Sequence, residues 1–240
     1  MGLEQSRLEP CRIAFFDLDR TLLDTNSGWM YACYERRMGR LSQAQILLSG
    51  LCFAMHRWSL LDVERAYQRV VEHWRGLHER AIRNEVNRWF AAEVATRLRP
   101  GAARALAEHR ARGDRLVLLT NTSAYIAEAA CKTFGMDAWL ANPILADASG
   151  RLTGEVERPL CYGPGKLERA RRWADEQGLS LEGAYFYTDS VSDLPMLDAV
   201  PHPRVVHPDG KLRRIARRRG WPIENWSIVA EVVPSQVQGP

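Results

Sequence analysis

The segment Asp17-Leu18-Asp19-Arg20-Thr21 follows directly on the apolar run Ile13-Ala14-Phe15-Phe16. Two carboxylates so close at the end of a buried strand repel each other when both are ionised. Such a pair calls for a cation or a shared proton. A hard divalent ion with oxygen ligands suits it, and Mg²⁺ is the usual one where phosphate is handled. The same residues also read as a strand end followed by a turn, since Asp is common in turns.

Three later segments add to this one. Leu118-Leu119-Thr120-Asn121-Thr122 places a hydroxyl after an apolar strand, with a helix starting just beyond. Backbone N–H groups at a helix start and a hydroxyl donor suit a phosphate oxygen, although a Thr there also serves as a cap or turn residue. Gly163-Pro164-Gly165-Lys166 opens a helix. A lysine pointing into a carboxylate-rich site would offset the charge of Asp17 and of a phosphoryl group, whereas most lysines lie at the surface. Tyr187-Thr188-Asp189-Ser190-Val191-Ser192-Asp193 again puts two acids after a strand. Asp189 is placed to be a further metal ligand. Asp193 would bind the metal directly or through water, orient Lys166, or cap the next helix. All four segments fall at the ends of different strands, where open α/β sheets bind their ligands.

The elements that must hold these residues follow from periodicity. Residues 11–24 read as a strand and the carboxylate turn. Residues 27–96 read as almost wholly helical: they contain no proline, and Trp29, Tyr31, Tyr34, Trp74, Leu77, Ile82, Val86, Trp89 and Phe90 recur at helical spacing. Trp29, Trp58, Trp74 and Trp89 are expected to pack between helices, because large aromatics dominate core burial. From Pro100 onward helices alternate with strands. Gly101–Arg112, Ser123–Phe134 with Ser123 as N-cap, and Lys166–Gln177 read as helices; Arg115–Leu119, Ala184–Tyr187 and Arg204–Val206 read as strands. Pro143–Glu157, with Asp147-Ala148-Ser149-Gly150 in its middle, reads as a β-hairpin. This alternation predicts a parallel α/β sheet, with the helical block inserted after its first strand.

The ordered set Asp-x-Asp-x-Thr, strand-Thr, Lys, Asp-x-x-x-Asp resembles the haloacid dehalogenase superfamily of phosphohydrolases, and the helical insert after the first motif resembles its phosphoserine phosphatase branch. The resemblance spans nearly the whole chain. It implies a Rossmann-like parallel-sheet core (residues 1–24 and 97–240), a helical cap (25–96), and Mg²⁺-dependent phosphatase chemistry through an aspartyl-phosphate. It implies Asp17 as nucleophile, Asp19 as general acid and then base, Thr120 and Asn121 on the phosphoryl group, and Lys166 stabilising its charge. Asp17, the Asp19 carbonyl and Asp189 would hold the metal, with Asp193 beside them. An acid at position 19 favours a phosphatase or a phosphomutase, because branches that protonate no alcohol lack it. Two departures stand out. Asn26 occupies the place where phosphoserine phosphatases carry a glutamate that reads the substrate's ammonium, and Ser190 and Ser192 replace a common glycine and asparagine. Related phosphatases with this looser pattern act on other small phosphomonoesters, histidinol phosphate among them. The implied substrate is a small phosphorylated metabolite, histidinol phosphate or phosphoserine-like, selected by cap residues such as Glu35, Trp29 or Tyr34.

Bulk properties agree with an ordinary globular enzyme. The 240 residues are 46% hydrophobic and 26% charged, with a formal net charge of +4. That charge is too mild to call for a nucleic-acid partner. Five scattered cysteines without a C-x-x-C pair argue against a disulfide framework or structural zinc, and for a reducing, cytoplasmic setting. Met1–Ser6 formally fits a myristoylation pattern, with no basic cluster behind it. Ala44–Met55, the longest apolar stretch, is too short to span a bilayer and reads as a buried helix. Lys211–Arg219 carries six basic residues. It reads as a helix with an apolar edge (Leu212, Ile215, Ala216) and a solvated basic face, the alternative being a surface for polyanions or nucleic acid. A phosphotransferase or phosphomutase would use the same aspartyl-phosphate. A phospho-accepting receiver module would lack both the insert and the Asp-x-Asp pair.

Overall fold

The computed structural model describes residues 12–43, 46–47 and 63–227. Nearly all of the apolar stretch 44–55, together with Trp58, Cys11, Cys52 and the N-terminal segment, lies outside the described residues.

The sheet has six strands in the order β3-β2-β1-β6-β7-β8. They are β1 Ile13–Phe16, β2 Arg115–Ser123, β3 Ala138–Asn142, β6 Tyr185–Thr188, β7 His202–Val206 and β8 Ile223–Glu224. Every neighbouring pair is parallel, so the core is the Rossmann-like α/β sheet expected. Strands buried on both faces read as unbroken apolar runs, and β1 shows why: Ile13, Ala14, Phe15 and Phe16 have no exposed surface. Successive side chains point to opposite faces, which makes two cores. Ala14, Phe16, Leu116 and Leu118 pack with helices Pro100–Ala111 and Ala124–Phe134. Ile13, Phe15, Val117 and Leu119 pack with helices Pro164–Glu176, Leu194–Ala199 and Gly210–Arg219.

β1 and β2 are adjacent in register, Phe16 opposite Leu118, yet almost a hundred residues separate them in sequence. Among the described residues that stretch contains helices Ser27–Arg37, Val63–Glu72 and Glu79–Trp89. The chain leaves and returns side by side: Leu23 bridges Leu98, Asp24 N–H donates to the Arg97 carbonyl at 3.1 Å, and Arg99 N–H donates to Leu22 at 2.9 Å. Trp74 and Trp89 are both 3% exposed, as packing residues should be.

Residues 73–78 correct the almost wholly helical reading of 27–96. Trp74 and Leu77 lie in a turn, where Gly76 takes φ +79°, open to glycine and costly for other residues. The turn bonds to the hairpin β4 Ile144–Ala146/β5 Leu152–Val156 instead: Gly76 N–H donates to Leu152 at 2.8 Å and Leu152 N–H to Leu77 at 2.9 Å. A tertiary partner for those backbone groups outweighs local helical preference. Helix Gly210–Arg219 buries Leu212 and Ala216 completely, leaving its arginines outward. No helix among the described residues is long and apolar enough to cross a membrane.

Candidate active site

The strand order turns back on itself between β1 and β6, and an open α/β sheet has its crevice at the carboxyl ends of such a pair. Asp17 follows β1 and Asp189 follows β6. Asp17 N–H still donates to the Tyr187 carbonyl at 2.9 Å, so the first acid is tied to the neighbouring strand. Beyond it Leu18–Leu22 forms a tight loop closed by Leu23 N–H on the Leu18 carbonyl, with Asp19 off helical geometry and Arg20 at φ +62°. A non-glycine residue rarely adopts that left-handed conformation, and such strain gathers at functional sites.

Lys166 supplies the cation of the cluster. It is 2% exposed, and its Nζ donates to Asp17 Oδ1 at 2.8 Å and to Asp193 Oδ2 at 2.7 Å. Burial alone would push a lysine pKa down, but the two carboxylates win and hold it up. The Gly-Pro-Gly lead-in explains how the lysine gets there. Gly163 takes φ +53°, and a Cβ on Gly165 would sit 2.0 Å from the Leu160 carbonyl oxygen. Only glycine lets the helix start so close to that loop.

Asp17 Oδ2 accepts from the Thr21 hydroxyl at 3.2 Å. Burial raises its pKa to about 6 against the pull of Lys166, with Asp193 adding to the rise. Asp193 has no capping bond to the following helix; its Oδ2 takes Lys166 and the Thr188 hydroxyl, the latter at 2.6 Å. Of the roles open to it in sequence, orienting Lys166 is the one its contacts match. Thr188 itself had no sequence signal beyond ending a strand.

Asp189 is 8% exposed, and burial, then the nearby charge of Asp17, raises its pKa well above the ordinary range. Among the described residues no donor hydrogen-bonds its carboxylate. Asp17, Asp189 and Asp193 are three buried carboxylates at one crevice, and Lys166 bonds only Asp17 and Asp193, which leaves negative charge short of compensation. That donor set fits Mg²⁺, which takes one or two carboxylates from protein and keeps several waters. No group of three His, Cys, Asp or Glu side chains able to hold a metal occurs among the described residues.

Thr120 and Asn121 lie inside β2, which runs on to Ser123 rather than ending at Leu119. Thr120 is 1% exposed and its Oγ1 accepts from Thr122 N–H at 3.4 Å. The Asn121 side chain is turned to Asn142, whose amide donates to Asn121 Oδ1 and to its carbonyl, both at 3.0 Å. Ser123 caps the next helix by accepting from Ile126 N–H.

Asp19 is held from the other side. Ser27 N–H donates to its Oδ1 at 2.7 Å and the Asn26 amide to its Oδ2 at 3.1 Å. Burial raises its pKa and the Ser27 N–H opposes that rise. Asn26 was notable in sequence only for not being an acid; an Asn one residue before a helix is also an N-cap signal. Glu35 is 4% exposed, accepts from Trp74 Nε1 at 3.2 Å, and lies 3.9 Å from Arg40, so its carboxylate is engaged within the helical stretch.

A parallel α/β sheet here carries acids and a buried lysine at its switch point, an arrangement suited to handling a phosphoryl group. The family model of haloacid dehalogenase-like hydrolases matches residues 14–198. A protein of Mycobacterium tuberculosis named a probable phosphatase is 31% identical over 217 residues, 89% of this chain and 75% of that one. A histidinol-phosphatase of Neisseria meningitidis is 28% identical over 219 residues, 89% of this chain and 98% of that one. A solved structure from Bordetella pertussis, of a protein with unknown function, matches with TM-score 0.81 at 28% identity, covering 90% of this chain and 98% of that one. The chain belongs to the haloacid dehalogenase-like hydrolases. It is a phosphatase of that family.

Proposed function

We propose that the enzyme is a Mg²⁺-dependent phosphomonoesterase that works through an aspartyl-phosphate on Asp17. The observation that carries this reading is the setting of Asp17, at the switch point with Lys166 on one oxygen and Thr21 on the other. Lys166 keeps Asp17 ionised at neutral pH, although burial raises its pKa to about 6. Its carboxylate attacks phosphorus while Asp19 protonates the departing alcohol oxygen. Asp19 then takes a proton from the water that cleaves the aspartyl-phosphate, so one carboxyl serves both half-reactions. Thr120 and the Asn121 backbone hold the phosphoryl oxygens, and Lys166, oriented by Asp193, offsets their charge. Bound by Asp17, the Asp19 carbonyl and Asp189, Mg²⁺ would neutralise phosphoryl charge in flight.

Residues 25–96 are the cap on this reading and 1–24 with 97–240 the core; the adjacent exit and return at Leu23 and Leu98 support that division. For the substrate, the side chain of Asn26 is engaged on both sides, by Asp19 and Trp29. Position 26 therefore offers no acid to a substrate ammonium. Histidinol phosphate and phosphoserine both carry an ammonium, and relatives are named for each, so the substrate class is a small phosphomonoester of either kind, read by residues other than Asn26.

The test is phosphate release from a panel including histidinol phosphate, phosphoserine and p-nitrophenyl phosphate, with Mg²⁺ and with chelator, for wild type and Asp17→Asn. Turnover that needs metal and vanishes in the variant is expected. Turnover that survives Asp17→Asn overturns the nucleophile. Phosphate appearing on added alcohols instead of in solution would make the enzyme a phosphotransferase.

A further inference from the structure

We propose that Asn26 is a positioning residue for the acid–base step, its side-chain amide setting the direction in which the Asp19 carboxylate faces the leaving oxygen. This rests on the reading of Asp19 given above and extends it to a residue outside the four motifs.

The geometry is reciprocal. Asn26 Oδ1 accepts from Trp29 N–H at 2.8 Å, which caps helix Ser27–Arg37, while its Nδ2 donates to Asp19 Oδ2 at 3.1 Å. An amide has one accepting and one donating end. The cap bond takes the oxygen, so the nitrogen must face Asp19. The other Asp19 oxygen is held by Ser27 N–H at 2.7 Å. Both oxygens are thus fixed from one helical first turn, one by backbone and one by a side chain that can be changed.

The residue type fits the task. An aspartate at position 26 would still cap the helix but would turn a second carboxylate toward Asp19. A serine would cap as well and would be too short to reach Asp19. A lysine or arginine would hold Asp19 ionised, which suits a base and spoils an acid. A neutral donor orients the carboxyl in either protonation state, as a group that serves first as acid and then as base requires. Because both donors belong to the segment entering helix Ser27–Arg37, any displacement of that helix would release Asp19.

The experiment compares Asn26→Ser and Asn26→Asp, both able to cap, with wild type on two esters. An alkyl phosphate has a poor leaving group that needs its proton; p-nitrophenyl phosphate has a good one that needs it far less. General acid assistance is worth roughly 10²–10⁴-fold, so misdirecting the acid should cost about 10–100-fold in kcat/KM for the alkyl ester. The loss for the aryl ester should be under about 3-fold, with the melting temperature of Asn26→Ser within about 2 °C of wild type, because the cap bond survives. In an Asp19→Asn background, Asn26→Ser should change little, since the group it positions is gone. Equal losses on both esters, no loss on either, or a full further loss in the Asp19→Asn background would overturn the proposal. If Asp17→Asn is inactive in the same assay, such a result leaves the phosphatase reading standing. An Asp17→Asn enzyme with full turnover would overturn Asp17 as nucleophile, and with it the reading of the site on which this inference rests.

Discussion

Lys166→Met removes a buried cation and little volume. In the wild type Nζ sits 2.8 Å from Asp17 Oδ1 and 2.7 Å from Asp193 Oδ2, with the lysine side chain 3% exposed. Taking one partner from a buried ion pair costs about 3–5 kcal/mol when the other must stay charged. The carboxylates have an escape, which is to take up a proton. Asp17 already sits at about 6 with the lysine pulling it down, so without the lysine it lies higher. A carboxyl whose folded pKa exceeds its unfolded value stabilises the fold at low pH and loses that contribution as pH rises through the folded value. In chelator, the wild type has spent that loss by about pH 6, while the variant goes on losing about 1.4 kcal/mol per pH unit above it. The gap between the two should therefore be small, about 1–2 kcal/mol, at pH 6 and about 3–5 kcal/mol at pH 8. For a domain of this size each kcal/mol moves the melting temperature by roughly 2–4 °C. Thermal melts of both proteins at pH 6, 7 and 8 should show a gap that widens to about 10 °C. The titration of Lys166 itself plays no part in this window, since its raised pKa matters only above the unfolded lysine value near pH 10. A gap that stays constant with pH, or one under about 2 °C at pH 8, would refute the claim that Lys166 compensates the two acids.

Two further outcomes follow from other parts of the molecule. Gly165→Ala places a Cβ 2.0 Å from the Leu160 carbonyl oxygen; backbone must move, at about 1–3 kcal/mol or more, and Lys166 moves with it. Its melting temperature should fall and its kcat should drop by about 10²-fold, the usual effect of a displacement near 1 Å; wild-type kcat in a folded variant would contradict the close approach. His109 has no exposed surface, binds Asp114 Oδ2 at 2.7 Å and Tyr187 Oη at 2.9 Å, and burial holds its pKa below the ordinary value. The unfolded chain therefore takes up a proton first as pH falls below about 6.5, and the fold loses up to about 1.4 kcal/mol per unit from there. The stability advantage of wild type over His109→Gln should shrink between pH 7 and pH 5 in denaturant titrations, and a constant advantage would contradict a neutral buried imidazole.

How far the chain could be read in advance depended on where its signals were local. The β1 run and its acids, the Ser123 cap, the Asp147–Gly150 hairpin and the buried edge of helix Gly210–Arg219 are each written in a few neighbouring residues, and each stands where it was expected. The apolar signal for β2 stops at Leu119, because Thr120-Asn121-Thr122-Ser123 is polar. Those residues stay extended because β3 lies alongside, Ser123 opposite Asn142 beyond a register shift. In the turn at 73–78, Trp74 and Leu77 keep helical spacing in sequence, whereas hydrogen bonds to the hairpin some 75 residues on decide its shape. The site divides in the same way. Residue types and order named Asp17, Lys166 and Asp193, but only the packed structure brings Lys166 onto both carboxylates and Thr188 onto Asp193. Asn26 shows the limit most clearly. Set against the family pattern it is a missing acid. In place, with one end of its amide on Trp29 and the other on Asp19, it links the first helix after β1 to the carboxyl proposed as acid and base. Substituting it tests catalysis rather than substrate charge.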